Sequence, residues 1–299
     1  MKKRTLLQRN DAKAVASIVS CVLIAIYVLS LIALLAWGVI SSLKGPLEFQ
    51  LNLFGLPKKY RFENYALAFD ELYVLVRKSS GIGQRKVRLF EMFFWSIITS
   101  TIPAIINVVY TAFCSYTLAK YKFALRNTIY NIMLFVMIMP IINSLPSVLE
   151  FTHKIGMYDF LPWILVTSCT VWTGSWMILY AIYKSISWEY AEAAFIDGAG
   201  HHRVFWTIML PMSIGPIVVL ILLNFITRWN DYQFSLIWFP SYPTLAYGLY
   251  YFQFTSAQAA SSEPIQIAAA IISAVPCLAL FVIFKEKMMN SLTMGGLKG

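Results

Sequence analysis

The sequence is short of charge. Asp, Glu, Lys and Arg make up only 13% of its 299 residues, whereas a soluble domain carries about 25%. Hydrophobic residues reach 59%, and the charged residues are gathered between long uncharged stretches. This pattern excludes an ordinary soluble domain and predicts a membrane protein.

Cysteine and histidine are also scarce, with four and three residues. No two cysteines have C-x-x-C spacing, and each lies in a different apolar stretch, so we expect small buried hydrophobic side chains rather than disulfides. His201 and His202 are adjacent rather than at a helical ligand spacing, which argues against a zinc site. The net charge of +10 comes from cations that flank apolar stretches, which favours lipid headgroups over nucleic acid as their partner.

The chain lacks a G-x-x-x-x-G-K-[ST] sequence, because Gly81-Ile82-Gly83 does not complete that pattern. Such a loop cradles the phosphates of ATP in P-loop proteins. This chain is therefore not expected to bind ATP through a P-loop.

Six uncharged stretches are each long enough to cross a bilayer, which takes roughly 20 apolar residues in a helix. The first follows a basic N-terminus like that of a signal peptide, but it is too long for a cleaved segment and is expected to be retained. A seventh uncharged stretch, 232–262, contains Pro240, Pro243 and polar residues that work against a helix in hydrocarbon. The predicted spans are about 15–40, 93–119, 128–149, 161–183, 211–228 and 265–284.

Six spans place both termini on the cytoplasmic side, with external loops at 44–91 and 231–263 and a cytoplasmic segment at 184–210. The loop 44–91 carries nine Lys and Arg residues, against the preference of cations for the cytoplasmic side. The charge of a long loop has less influence on orientation than that of a short one, so the basic first segment and basic tail decide the orientation.

The cytoplasmic segment 184–210 reads as two short helices joined at a glycine. Ser187 is a candidate N-cap, Glu189 favours the helix dipole, and Asp197-Gly198 is predicted to end the first helix with glycine at C′. A second helix is predicted from about Gly200 to Leu210, with Pro211 opening the next span. Small side chains at Ala193, Ala194 and Gly198 predict a flat surface that enters a groove on a partner; the alternative is an amphipathic loop lying on the membrane.

The spacing in this segment resembles the EAA motif of ABC importer permeases, which reads EAA, three residues, G, nine residues and I-x-L-P. Glu192-Ala193-Ala194, Gly198 and Ile208-Met209-Leu210-Pro211 match every fixed position. Asp197-Gly198-Ala199, Trp229-Asn230-Asp231 and the tail Gly295-Gly296-Leu297-Lys298-Gly299 are similar to the carbohydrate-uptake branch, in particular to the second permease of maltose-type and multiple-sugar importers. The similarity covers roughly residues 60–299, and the basic segment 72–90 departs from it.

This resemblance implies an all-α membrane protein with the type I ABC importer permease fold, in a bacterial inner membrane. It implies as partners a second homologous permease, two ATPase subunits and an external solute-binding protein. The chain itself would be a pore subunit rather than an enzyme and would hold no cofactor, since ATP and Mg²⁺ would bind the ATPases. The residues implied to couple to an ATPase are Glu192, Ala193, Ala194, Asp197, Gly198, Ala199, Leu210 and Pro211, with Gly295, Gly296 and Lys298 as a contact in the tail.

A substrate path for a sugar needs aromatic faces and amide groups in or near the spans. Such residues also have ordinary roles, because Asn often bonds to a neighbouring helix and Trp often lies at the membrane interface. In some permease pairs of this branch only the partner binds sugar. The candidates are Asn143, Trp172, Trp176, Asn224, Trp229 and Asn230.

Two other functions remain open from the sequence. An ABC importer for amino acids, phosphate or metals would carry a similar loop motif, and the residues after the fifth span and in the tail favour sugar over these. A secondary transporter usually needs an ionisable group within the membrane. The uncharged stretches from which the spans are predicted contain no Asp, Glu, Lys or Arg.

Overall fold

A computed structural model describes residues 2–77, 83–139, 144–168, 174–255 and 262–294. The chain is mostly helical and divides into two compact units. One unit comprises residues 1–71 and 255–272, and the other comprises residues 72–254 and 273–299.

The first unit is built around a long apolar helix, α1 (Lys2–Ser42), followed by α2 (Pro46–Leu51) and α3 (Glu63–Glu71). The carbonyl groups at the end of α1 are satisfied by a side chain: the amide of Asn64 donates to Ser42 O at 2.7 Å and Lys44 O at 2.8 Å. Lys44 is buried and donates to Asn52 O and Leu53 O. These bonds fix the turn that leads out of α1, whose orphan carbonyls need partners.

The second unit starts with an antiparallel hairpin, β1 (Tyr73–Arg77) and β2 (Gln84–Arg88), in which Tyr73 pairs with Arg88 and Arg77 with Gln84. Val74, Val76 and Val87 are buried on one face, as the two-residue period of a strand requires. The described residues of the basic segment 72–90 therefore include two paired strands, and the all-α prediction is wrong at this point.

The helices of the second unit follow the hairpin. They are α4 (Leu89–Lys120), α5 (Arg126–Ile138), α6 (Ser144–Lys154), α7 (Trp163–Ser168), α8 (Ser175–Ser185), α9 (Glu189–Ile196), α10 (His201–Val204), a π-helical turn (Phe205–Met209), α11 (Leu210–Met212), α12 (Ile214–Trp229), α13 (Tyr232–Ile237), α14 (Leu245–Thr255) and α15 (Glu263–Met294), of which the last begins in the first unit.

Helix α4 is the centre of this unit and packs against α8 and α12. Its buried face is made largely of small and polar side chains, which let membrane helices approach closely. Asn107 Nδ2 donates to Ser168 O at 3.1 Å, and Ser115 Oγ donates to Trp176 O at 3.1 Å. The small and polar residues of this face are Ser96, Thr99, Ser100, Ala104, Asn107, Thr111, Ala112 and Ser115.

Within the described residues, three helices are long and apolar enough to cross a membrane: Ser17–Ser42, Leu89–Lys120 and Glu263–Glu286. The pair His201–Met212 and Ile214–Trp229 is a fourth if the 80° bend between them lies within one span. The predicted spans 15–40, 93–119 and 265–284 each lie inside one continuous helix. By length and composition, these helices support the prediction of a membrane protein.

Two predicted spans are not continuous helices over the described residues. In 128–149, α5 stops at Ile138 and Met139 is extended, with φ −70° and ψ 120°. Met139 precedes Pro140, and a proline ring disfavours helical geometry in the residue before it. The span 161–183 contains α7 and α8, with residues 169–173 between them outside the described part of the chain.

The cysteines differ in part from the buried positions expected for them. Cys21 is exposed, Cys114 and Cys277 are half-buried, and all three are free. Cys169 lies outside the described residues.

Candidate functional site

The predicted coupling segment contains the short helix α9. It begins at Glu189, one residue later than a Ser187 N-cap would give, and the backbone N–H of Glu189 donates to Ser187 Oγ at 3.3 Å. Glu189 and Glu192 lie in the first turn, where negative charge is stabilised by the free N–H groups of the helix end.

Glycine ends α9 as predicted. Gly198 has φ +80°, a conformation that costs other residues energy because of their Cβ atom. The N–H of Gly198 donates to Phe195 O at 3.0 Å, and the N–H of Ala199 donates to Ala194 O at 2.9 Å. This pair of bonds is a Schellman motif, which satisfies the last carbonyls and turns the chain sharply.

The two faces of α9 have different surroundings. Ala191 and Ala194 are buried, with exposures of 0% and 9%. Residues at the spacing i, i+3, i+4, i+7 and i+8 form the opposite face, which we call the exposed stripe, and this spacing defines one side of a helix. The exposed stripe consists of Glu189, Glu192, Ala193, Ile196 and Asp197.

The predicted docking surface is therefore corrected at Ala194. Its methyl group packs into the protein's own core instead of facing a partner, whereas Ala193 and Gly198 are exposed as predicted. The exposed stripe combines three carboxylates with Ile196, whose exposure is 86%. Such a surface is complementary to a groove with an apolar floor and basic rims.

The buried face of α9 joins a core shared with α4, α8 and the π-helical turn. Ala191 and Ala194 pack in one cluster with Tyr116, Tyr183 and Phe205. Around its edge, Tyr121 Oη and His201 Nδ1 are 2.9 Å apart, and Trp188 meets the Tyr121 ring edge-on. Helix α9 is thus held by packing against this core, whose edge is closed by aromatic contacts and by the Tyr121–His201 hydrogen bond.

The end of the motif lies at a bend. Leu210 is half-buried against the same core, and Pro211 is exposed in the one-turn helix α11. The long helix begins at Ile214, three residues after the predicted start of the span at Pro211. The cause is a break at the buried Ser213, whose hydroxyl donates to Tyr183 Oη at 2.9 Å and lies 2.9 Å from Met209 O.

Four predicted substrate-path residues have structural partners. Trp176 and Trp229 are packed inside the unit, with exposures of 0% and 2%, and Trp229 Nε1 donates to Ser273 O at 3.1 Å. The amides of Asn224 and Asn230 donate back to Leu220 O and Ile226 O in the same helix. Asn143, Trp172 and the tail residues Gly295, Gly296 and Lys298 lie outside the described residues.

A cavity of about 340 Å³ lies at the C-terminal end of α12, which is the end away from the bend. We call it the outer cavity. Sequence reasoning missed most of its polar groups, although Arg228 directly after an apolar span and the aromatic residues that follow were visible signals. Its lining consists of Leu145, Val148, Met157, Tyr158, Trp163, Thr167, Arg228, Asp231, Gln233, Phe234, Ile237, Trp238 and Phe239.

Charged and polar groups of the outer cavity come from two chain segments. Asp231 caps α13 by accepting from the N–H of Phe234 at 3.1 Å. Burial raises the pKa of the Tyr158 phenol, and the negative charge of Asp159 raises it further, so that the phenol keeps its proton. The Arg228 guanidinium lies 5.2 Å from the centroid of the Phe234 ring.

Comparison with known proteins gives a family match over residues 93–285, to the binding-protein-dependent transport system inner membrane component. The diacetylchitobiose uptake system permease protein NgcG of Streptomyces coelicolor is 27% identical over 291 residues, 93% of this chain and 87% of the relative. The trehalose transport system permease protein SugB of Mycobacterium tuberculosis is 25% identical over 253 residues, 82% of this chain and 84% of the relative.

Among solved structures, the chain is similar to a subunit in the crystal structure of a bacterial ABC transporter involved in the import of the acidic polysaccharide alginate. The TM-score is 0.73 at 18% identity, over 92% of this chain and 97% of that one. At this identity the likeness shows the fold alone, which is mostly helical and of the type I ABC importer permease kind.

Proposed function

Because this chain belongs to the family of binding-protein-dependent transport system inner membrane components, we propose that it moves a sugar or oligosaccharide from an external binding protein into the cytoplasm. In this proposal it is one pore-forming subunit of an ATP-driven importer in a bacterial inner membrane. The observation that carries it is the division of α9 into a face fixed in the protein's own core and an exposed stripe available to a partner.

The proposed assembly contains a second homologous permease, two ATPase subunits and the binding protein. ATP and Mg²⁺ bind the ATPases, and this chain needs no cofactor. In the proposed topology six spans leave both termini and the segment 184–210 on the cytoplasmic side, so that the exposed stripe faces an ATPase. A sugar as cargo is supported by the relatives, one named for diacetylchitobiose and one for trehalose.

The proposed coupling works through rigid packing. An ATPase that closes on the exposed stripe displaces α9, and the buried face carries Tyr116, Tyr183 and Phe205 with it because close-packed cores transmit displacement. Tyr183 is hydrogen-bonded to Ser213 at the 80° bend. Motion of α9 therefore reaches the start of α12 through contacts within one core.

The test is charge reversal on the exposed stripe. The importer is reconstituted in liposomes with its ATPases and binding protein, and saccharide-stimulated ATP hydrolysis is measured. Glu192→Lys is expected to reduce stimulation by about tenfold or more, because it removes a favourable charge contact and places a cation against a basic rim. Insertion and assembly of this subunit are expected to persist.

Glu150→Lys is the matched control. Glu150 is exposed and forms a surface pair with Lys154 on α6, and such pairs contribute about 0–1 kcal/mol. This variant should keep wild-type stimulation. Full stimulation in Glu192→Lys would contradict docking through the exposed stripe.

A further inference from the structure

The outer cavity has walls that are fixed to each other. The Asp159 carboxylate accepts from Ser241 Oγ at 2.5 Å and from the Ser241 N–H at 3.1 Å, and the Asp159 N–H donates to Trp238 O at 3.2 Å. Asp159 has φ 57°, an uncommon conformation for a residue other than glycine. These three bonds join the loop before α7 to the loop after α13, so the cavity is a built feature of this unit.

Arg228 brings donors to the cavity that the chain leaves unused. One face of its guanidinium lies over the Phe234 ring, and nothing in the described part of the chain accepts a hydrogen bond from it. It is half-buried, and a guanidinium that loses water needs replacement acceptors. A ligand in the cavity would supply them.

Acceptor groups lie beside these donors. Asp231 uses Oδ1 for the N–H of Phe234, and its second oxygen accepts no hydrogen bond from the residues that the structure describes. Gln233 adds an amide, and Tyr158 adds a phenol. The lining thus offers one cation and one carboxylate, which suits groups that both donate and accept.

The remaining walls are aromatic. Trp163, Trp238 and Phe239 line the same space, and their flat apolar faces can cover the C–H surface of a sugar ring. The volume of about 340 Å³ is at the small end of the range of about 300–1,000 Å³ for small-molecule sites.

We propose that the outer cavity is a saccharide site on the external side of this subunit, in which Arg228 donates to sugar hydroxyls, Asp231 accepts from them and Trp163 covers the ring. The inference rests on the proposed function. Hydroxyls match the lining better than a phosphate or carboxylate does, because Asp231 opposes a second negative charge. The site lies about 24 Å from the bend along α12, at 1.5 Å for each of its 16 residues, and holds the sugar on its way from the binding protein.

The test measures binding without the binding protein. The complete importer in nanodiscs is mixed with diacetylchitobiose, trehalose, maltose or raffinose, and saturation-transfer NMR detects the sugar in contact with protein. At least one sugar is expected to give a signal that falls at least fivefold in Arg228→Gln and in Trp163→Leu, since both remove direct contacts. Arg228→Lys keeps the charge and a donor and should keep part of the signal.

Arg88→Gln is the control, because it removes an exposed cation from the hairpin that does not line the cavity. Thermal unfolding of every variant is measured in parallel, and Arg228→Lys separates loss of contact from loss of fold. Two results would overturn the saccharide site but leave the proposed function standing. One is uptake of one of these sugars by the wild-type importer with no saturation transfer, and the other is a signal that survives both Arg228→Gln and Trp163→Leu.

Two further outcomes have distinct meanings. A phospholipid that co-purifies with the wild type and is lost in Arg228→Gln, seen by ³¹P NMR, would assign the cavity to a lipid phosphate and overturn the saccharide site. Failure of the wild-type importer to take up any of the four sugars, with its binding protein present, would overturn the proposed function and this site with it.

Discussion

Single residues of the coupling segment act through backbone geometry as much as through their side chains. Gly198 ends α9 at φ +80°, and Gly156 has a similar φ of +69° after α6. At both positions a Cβ atom would meet open space, with nothing within 4 Å. The two glycines therefore lie in different parts of the protein, but a Cβ atom would cost a similar free energy at either position.

This similarity gives a matched prediction. Gly198→Ala and Gly156→Ala are each expected to destabilise the protein by about 1 kcal/mol, because alanine resists positive φ. Thermal unfolding of the purified importer should show equal shifts. Only Gly198→Ala should lower saccharide-stimulated ATPase activity, since relief of its strain reorients the exposed stripe.

Equal ATPase stimulation in the two variants would show that the turn after α9 has no part in coupling. A much larger stability loss in Gly198→Ala would instead show that the turn is part of the folding core. Both readings come from the same two preparations.

The sequence alone predicted this turn, because Asp197-Gly198 after a run of alanines is a local signal. It could not predict which alanine faces inward. Ala193 and Ala194 are alike as residues, and only the packing of α4 and α8 against α9 buries one and exposes the other. The sequence could not predict the burial of the candidate sugar contacts Trp176 and Trp229 either, since an indole in a span suits a packed core as well as a substrate path.

At the scale of elements, one buried hydrogen bond links α8 to the start of α12. Ser213 Oγ donates to Tyr183 Oη at 2.9 Å, and both side chains have 0% exposure. Ser213→Ala leaves the Tyr183 hydroxyl without this donor in an apolar core. The loss of one partner costs more than replacement of both, because an unpaired buried hydroxyl keeps its desolvation penalty.

We therefore expect a double-mutant cycle with a clear sign. Ser213→Ala should lower the free energy of unfolding by about 1–2 kcal/mol. Tyr183→Phe should lower it less in the Ser213→Ala variant than in the wild type. Unfolding is followed by tryptophan fluorescence in detergent. Strict additivity would show that the contact at the bend contributes nothing beyond its two residues.

Some helix ends have a local signal in the sequence, and others are set by packing against distant residues. The break after Ile138 was present in the sequence, because Met139 precedes Pro140 and X-Pro disfavours helix, yet the apolar run 128–149 outweighed it in the prediction. The π-helical turn and the break at Ser213 had no such signal. They arise where the chain must turn by 80° and still bury Phe205 and Met209.

At the scale of the whole molecule, the prediction that needs a test is the number of crossings. Three spans were expected between the hairpin and α9, and two of them, 128–149 and 161–183, are interrupted in the structure. The hairpin also carries Arg77, Lys86 and Arg88 on its exposed face, and the proposed topology puts them on the external side, where cations are disfavoured. Single-cysteine labelling can measure each crossing separately.

The native cysteines are first replaced by alanine, and exposed positions are changed one at a time to cysteine in membrane vesicles of known orientation. Lys86→Cys and Lys154→Cys should react with an impermeant maleimide in right-side-out vesicles, and Lys122→Cys and Asp197→Cys only in inside-out vesicles. All four side chains are exposed, so in vesicles that carry this subunit without its ATPases a lack of reaction reports sidedness. If Lys122 and Lys154 react from the same side, the segment 128–149 does not cross the membrane. If Lys154 and Asp197 react from the same side, the segment 161–183 does not cross it. If all four positions react from the side opposite to that expected, the subunit is inverted and the exposed stripe faces away from any cytoplasmic ATPase.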